Sequence, residues 1–255
     1  MPKRERNPVQ DTIDQVVILA AGQGLRLRQG QEDYLKPLYP LKGRPLVSYV
    51  MEAFFGQGVK RFHVVVGFEK DKLIPGLKQA VPKGGELNLI DNPDWALSNG
   101  VSLLKSKEHV EGRFFLSMSD HIFQSAMIDR LRSGAREEDC LYLAVDSKLD
   151  AVFDMDDATK VKTDQGRIVD IHKQLSEFDV VDTGLFVCPP QIFSCLESAM
   201  VDGDCSLSDG VRALAAEGKA RVVDIGDAVW QDVDTPDMLG QAEKLLSRFL
   251  TRTTS

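Results

Sequence analysis

The stretch VVILAAGQGLRL, residues 16–27, decides how the chain reads. Its first five residues are an apolar run long enough for a buried strand. The chain then turns to small residues, Ala21, Gly22 and Gly24, followed by the bases Arg26 and Arg28. Glycine lets backbone N–H groups approach a ligand closely, and arginine adds a fork of donors matched to phosphate oxygens. Lys36-Pro37-Leu38 supplies an ammonium shortly downstream. Together these point to a cradle for the triphosphate of a nucleotide, with an ordinary strand-to-helix turn as the alternative. Two other cradles are excluded. Leu27 stands where GxGxxG requires its third glycine, and no GxxxxGK[ST] occurs. A dinucleotide dehydrogenase and a P-loop NTPase are therefore disfavoured.

The chain has 255 residues, 43% of them hydrophobic and 27% charged, which suits a soluble globular protein with a sizeable core. A net charge of −8 disfavours nonspecific binding to nucleic acid or anionic membrane. The four cysteines, Cys140, Cys188, Cys195 and Cys205, lack metal-site spacing and read as reduced thiols of a cytoplasmic protein. No apolar run nears membrane-spanning length, and the charged start carries no secretory signal. The expected organisation is a flexible leader over 1–13, a single domain over 14–251 and a tail over 252–255. Self-association into a homodimer stays open.

Apolar runs at 16–20, 62–66, 87–90, 114–118 and 141–145 alternate with helical patterns at 44–55, 71–80, 98–107 and 125–133. Pro45 stands at the expected first turn of the 44–55 helix. This alternation predicts an α/β fold with a mainly parallel sheet, its ligands beyond the carboxyl ends of the strands. The turn at 21–28 and Asp120 both follow strand runs and are expected to face one crevice. Asp164-Gln165-Gly166 then reads as a hairpin turn between 160–163 and 167–171. With a strand at 180–187, this predicts a small antiparallel extension, about residues 146–190. Helices over 189–200, 206–216 and 236–250 and a strand over 221–225 complete the pattern.

Asp120 ends an apolar strand, where a carboxylate suits Mg²⁺ riding on nucleotide phosphates; capping of the next helix is the competing duty. In Trp230-Gln231-Asp232-Val233-Asp234-Thr235-Pro236, an extended backbone would turn Asp232 and Asp234 to one side. Two such carboxylates call for a cation, although Asp234 or Thr235 could cap the helix from Pro236. The segment from Asn92 to Ser102, including Ser98, Asn99 and Gly100, offers groups able to read a base edge. Lys173 and Asp182-Thr183-Gly184 lie near the same opening if the hairpin extends the sheet. His121 is weighed as a base and as a structural histidine.

The set LAAGxGxRL at 19–27, Lys36-Pro37-Leu38, Gly43-Arg44-Pro45-Leu46, Asp120, Asp182-Thr183-Gly184 and Trp230-x-Asp-x-Asp-Thr-Pro resembles nucleotidyltransferases that activate sugar and alcohol phosphates. Within them, Asn92-Pro93-x-Trp95, Ser98-Asn99-Gly100-x-Ser102 and Ser119-Asp120-His121 are most similar to CTP:inositol-1-phosphate cytidylyltransferases. The resemblance implies a Rossmann-like three-layer α/β/α fold and transfer from CTP to inositol 1-phosphate, giving CDP-inositol and pyrophosphate. It implies a phosphate loop of Leu19, Ala20, Ala21, Gly22, Gly24 and Arg26, and a catalytic Lys36. It also implies Mg²⁺ on Asp120 with one or both of Asp232 and Asp234, base contacts from 92–102, and acceptor contacts from Lys173 and 182–184. Sugar-phosphate members carry Glu-Lys-Pro where this chain has His172-Lys173-Gln174. Phosphocholine or a hexose 1-phosphate with UTP or another NTP is the alternative pairing, and a noncatalytic nucleotide-binding module the alternative class.

Overall fold

In a computed structural model, residues 13–28 and 34–252 are described, with side chains described as far as 247. The strands are β1 (Gln15–Ala20), β2 (Pro40–Leu41), β3 (Arg44–Pro45), β4 (Arg61–Val66), β5 (Glu86–Asp91), β6 (Phe114–Met118), β7 (His121–Phe123), β8 (Leu141–Asp146), β9 (Lys160–Asp164), β10 (Arg167–His172), β11 (Val180–Cys188), β12 (Ala220–Asp224) and β13 (Trp230–Asp232). The helices are α1 (Leu25–Arg28), α2 (Leu46–Gly56), α3 (Lys70–Ala80), α4 (Asn99–Leu104), α5 (Ala126–Gly134), α6 (Gln191–Ala199), α7 (Leu207–Ala216) and α8 (Pro236–Arg252).

Among the described residues the main sheet has nine strands in the order β5-β4-β1-β6-β11-β8-β12-β10-β9. β5, β4, β1 and β6 pair in parallel, and β12 pairs in parallel with β8. β11 runs antiparallel to both β6 and β8. With β10 antiparallel to β12 and β9 antiparallel to both β10 and β11, seven strands run one way and two, β11 and β10, are reversed, as a mostly parallel mixed sheet requires.

Period-two alternation builds the layers. Val16, Ile18 and Ala20 of β1 join one core with α2, α3 and α5. Val17 and Leu19 join the opposite core with α4, α6 and α7. A third, smaller cluster packs α8 and Val233 against Leu27, Leu41, Leu46 and Ile122. This is the three-layer α/β/α arrangement.

Local expectations shift in four places. Pro45 pairs with Pro40 in a β2–β3 ribbon, so α2 starts only at Leu46. The 98–107 helix ends at Leu104, because the Ser106 N–H and hydroxyl both donate to the Leu103 carbonyl. Residues 180–187, grouped with the extension, form a central strand whose residues are all buried except Asp182. The hairpin itself does extend the sheet: β9 pairs β10, β10 touches β12 at Arg167 opposite Arg221, and β9 returns to Val180 and Val181 of β11. Strands β11, β8, β12, β10 and β9 thus pair in a ring. Finally, Ile13, placed in the leader, is buried in the first core. The rest of that leader, and the tail beyond Arg252, lie outside the described residues.

Candidate active site

The carboxyl end of β1 leads directly into the first part of the site. Gly24 sits at φ +62°, and a Cβ there would lie 2.5 Å from the Lys36 Cβ, so glycine makes room for the lysine stem. Lys36 opens a short 3₁₀ turn, Lys36–Leu38, and is only 9% exposed. Its ammonium lies between the carboxylates of Asp120 and Asp234 and contacts both.

A two-stranded ribbon brings those acids together. β7 follows Asp120 and pairs with β13, setting His121 opposite Asp232, and the Val233 N–H donates to the Asp120 carbonyl at 3.0 Å. Asp120 caps no helix. Capping of α8 falls to Thr235, whose hydroxyl accepts from the Met238 N–H at 3.3 Å, leaving the Asp234 carboxylate to Lys36 and Arg26. The cation sits between Asp120 and Asp234, rather than between Asp232 and Asp234, and it is a lysine of the chain itself.

Charges of alternating sign run across the mouth. Lys173 Nζ lies 2.7 Å from Asp157, and Arg26 Nη2 lies 2.9 Å from both Asp157 and Asp234. Lys36 links Asp234 to Asp120, and Asp120 holds His121 Nδ1 at 2.6 Å. The His121 ring stacks on Trp230 with centroids 5.9 Å apart. The Trp230 Nε1–H donates to Asp146 at 3.0 Å. Gly184, at φ +73°, must be glycine because a Cβ would come within 2.6 Å of His121 Nε2.

The environment tunes these groups against their own burial. Burial opposes the charge on Asp120, yet the Lys36 ammonium and the His121 hydrogen bond hold it well below the usual carboxylate range. Burial likewise opposes charge on Lys36 and on His121, but Asp120, with Asp234 for the lysine, raises both. Asp157 is buried enough to resist ionisation and is nonetheless lowered by Lys173 and Arg26. Asp182 has no cation in contact: burial pushes it up to about 6 despite the Gly184 N–H that it accepts and the pull of His121. Asp232 is also raised, by burial and by the nearby charges of Asp234 and Asp120, which outweigh the pull of His121.

Two cavities open here. The first, about 370 Å³, is lined by 19–20, 22–26, Lys36, Pro37, Ser119, Asp120 and Asp234. The second, about 250 Å³, includes Arg26, Asp120, His121, Asp157, Lys173, Asp182, Gly184, Asp232 and Asp234 in its wall. Arg26, Asp120 and Asp234 belong to both. The turn after β1 and Asp120 therefore do share one crevice.

Other sequence candidates are placed differently. Asn92 and Ser102 are buried and bonded to each other at 2.9 Å, while the Asn92 side-chain carbonyl accepts from the Asp94 N–H. The Ser98 N–H and hydroxyl both donate to Asp204. Gly100 packs against the backbone of Cys205 and Ser206. Asn99 accepts from the Leu207 N–H and is the one residue of that group in the wall of either cavity. The structure thus gives Asn92, Ser98 and Ser102 to loop anchoring rather than to an open base-reading edge. Thr183 is 1% exposed and donates to the Ala144 carbonyl at 2.8 Å, lining neither cavity. Asp157 carries no signal in the sequence. It sits in the acidic run Asp154-Met155-Asp156-Asp157, where nothing marks which acid turns inward.

Among the described residues no group of three or more His, Cys, Asp or Glu is arranged to hold a metal ion. No helix of the described residues is long and apolar enough to cross a membrane.

Residues 16–195 match the MobA-like NTP transferase domain. The chain is 33% identical over 237 residues to the "Bifunctional IPC transferase and DIPP synthase" of Aquifex aeolicus (strain VF5), covering 92% of this chain and 52% of that one. The protein of the same name from Thermococcus kodakarensis is 33% identical over 238 residues, covering 92% of this chain and 51% of that protein. This chain spans about half the length of these curated relatives. Among solved structures, the inositol-1-phosphate CTP transferase from T. maritima superposes with a TM-score of 0.82 at 30% identity, covering 92% of this chain and 95% of that one. A UDP-glucose pyrophosphorylase complexed with UDP-glucose shares the fold, with a TM-score of 0.79 at 15% identity, covering 92% of this chain and 99% of that one. With the match running from β1 to α6, the chain belongs to the MobA-like NTP transferase domain family.

Proposed function

We propose that this chain transfers a cytidylyl group from CTP to inositol 1-phosphate, releasing pyrophosphate. The observation that carries the reading is Lys36 held between Asp120 and Asp234 where the two cavities meet. In support, the T. maritima relative is named for CTP and inositol 1-phosphate and matches nearly its full length.

In this reading the triphosphate lies in the first cavity, against the turn at 21–26 and Arg26. The acceptor lies in the second, its phosphate toward Lys173 and its hydroxyls toward Asp182 and the 184 bend. An oxygen of the acceptor phosphate bonds to the α-phosphorus as the bond to pyrophosphate breaks and the leaving group takes the electron pair. Both reactants are anions, so the barrier is largely charge repulsion, which fixed cations lower. Lys36, desolvated and kept charged by its two acids, is placed to neutralise charge at the α-phosphate. The acceptor phosphate is already ionised near neutral pH, so no general base is needed. His121 accordingly serves to hold Asp120 in place.

Asp120 and Asp234 converge on one point, with the charge of Asp232 nearby, and would give Mg²⁺ the one or two carboxylates through which it commonly binds alongside substrate phosphates. Held there, Mg²⁺ would act as a Lewis acid that offsets phosphate charge. All four cysteines are buried free thiols, consistent with work in the cytoplasm.

A pyrophosphate-release assay over four NTPs and a panel of phosphorylated alcohols, with and without Mg²⁺, tests the reading. The expected maximum is CTP with inositol 1-phosphate. A maximum with phosphocholine or a hexose 1-phosphate would move the acceptor, and silence across the panel would leave a noncatalytic nucleotide-binding module.

A further inference from the structure

Asp157 is the one carboxylate of the charged row that grips two cations yet stands outside the Lys36 cluster. One of its oxygens takes Arg26 and the other takes Lys173, at 2.9 and 2.7 Å. In the reading above these cations face different substrates, Arg26 the nucleotide and Lys173 the acceptor. The span of a single carboxylate therefore fixes the distance between them. The loop that carries Asp157 is itself braced: Asp154 accepts from the Asp157 N–H, and Lys160, 8% exposed, donates to the Asp156 carbonyl. Neither cation is used up by this grip. Arginine has five N–H donors and lysine three, so each keeps directions free for phosphate oxygens.

We infer that Asp157 is a positioning residue that ties Arg26 to Lys173 and so sets how closely the two phosphate-bearing substrates approach. This rests on the function proposed above. Holding two reactants in register lowers the barrier without tightening ground-state binding. Loss of the carboxylate has a recognisable kinetic signature. Two cations freed of an anion bind phosphate as well or better, while the approach geometry loosens.

The test uses the full chain with its best nucleotide and acceptor from the assay panel. Asp157→Asn is expected to lower kcat on the order of tenfold or more, with KM for both substrates unchanged or lower. Asp157→Glu restores part of the loss. Asp157→Asn combined with Lys173→Ala is expected to be no slower than Lys173→Ala alone, since one residue acts through the other. Melting curves matching wild type exclude general damage. Unchanged or faster turnover in Asp157→Asn would overturn the inference, because the carboxylate would then merely occupy a phosphate's place. A raised KM at constant kcat, or additive losses in the double variant, would overturn it equally. A wild-type chain silent across the panel removes the function proposed above and this inference with it. An active wild type makes the variants a test of Asp157 alone.

Discussion

Asp120 and Asp182 are both half-buried aspartates beside a cavity, and they differ in how directly a cation faces them. Asp120 touches Lys36 and His121 and is held ionised. Asp182 accepts only a backbone N–H from Gly184 and is driven up to about 6. The Lys36 side of the crevice is built of compensated charges. The Asp182 side keeps at least one carboxyl whose ionisation the fold resists. The same side chain thus does different work according to what faces it.

The largest effect should come from removing the compensation. Lys36→Ala leaves Asp120 and Asp234 facing one another without their shared ammonium, and it strips a preorganised cation from the proposed reaction centre. Turnover is expected to fall about 100- to 1,000-fold, by analogy with single electrostatic donors in other sites. Pyrophosphate release measured at saturating substrates checks this. A near-normal rate would detach Lys36 from the chemistry and reduce it to a structural ion pair.

The contrast between the two sides also marks what the sequence can carry. The first cavity is legible because most of its wall is nearly contiguous, residues 19–20 and 22–26 plus Lys36 and Pro37. A run of small residues directly after an apolar strand also has few duties besides a close approach of backbone to a ligand or to a neighbouring segment. The sheet is legible for a similar reason: buried parallel strands are short apolar runs separated by helices. The second cavity draws on segments spread from Arg26 to Asp234. Its key contact, Asp157 with Arg26 and Lys173, depends on the loop between β8 and β9, and no local pattern encodes it. The 92–102 segment is ambiguous for a related reason. Asn and Ser serve equally in base recognition and in anchoring loops, and only the partners, Asp204, Leu207 and each other, distinguish the two.

The next effect sharpens the contrast by pH. Asp182 has a folded pKa near 6 against an ordinary 3.8. Between about pH 4 and 6 the folded state therefore holds more protons than the unfolded one, and stability falls as pH rises through that window. Above pH 6 the full cost applies, about 3 kcal/mol from the size of the shift. Asp182→Asn keeps an acceptor for the Gly184 N–H but cannot ionise. It is expected to match wild type near pH 4 and to be more stable by up to that amount at pH 7.5. Denaturant melts across the range check this. A constant offset at every pH would mean that burial does not perturb Asp182.

The smallest effect separates neighbours on the same strand. Thr183 follows Asp182 yet points away from both cavities, with its hydroxyl on the Ala144 carbonyl of β8. Thr183→Val preserves shape and removes that hydroxyl, leaving the carbonyl one bond short. A buried hydrogen bond of this kind contributes about 1 kcal/mol. The expected outcome is a melting transition lowered by about that much, with KM for the acceptor unchanged. A raised KM at wild-type stability would instead return Thr183 to the acceptor's contacts, as its place beside Asp182 and Gly184 in the chain suggests. The geometry favours the first outcome, since the Thr183 hydroxyl reaches across to β8 while Asp182 and Gly184 line the second cavity.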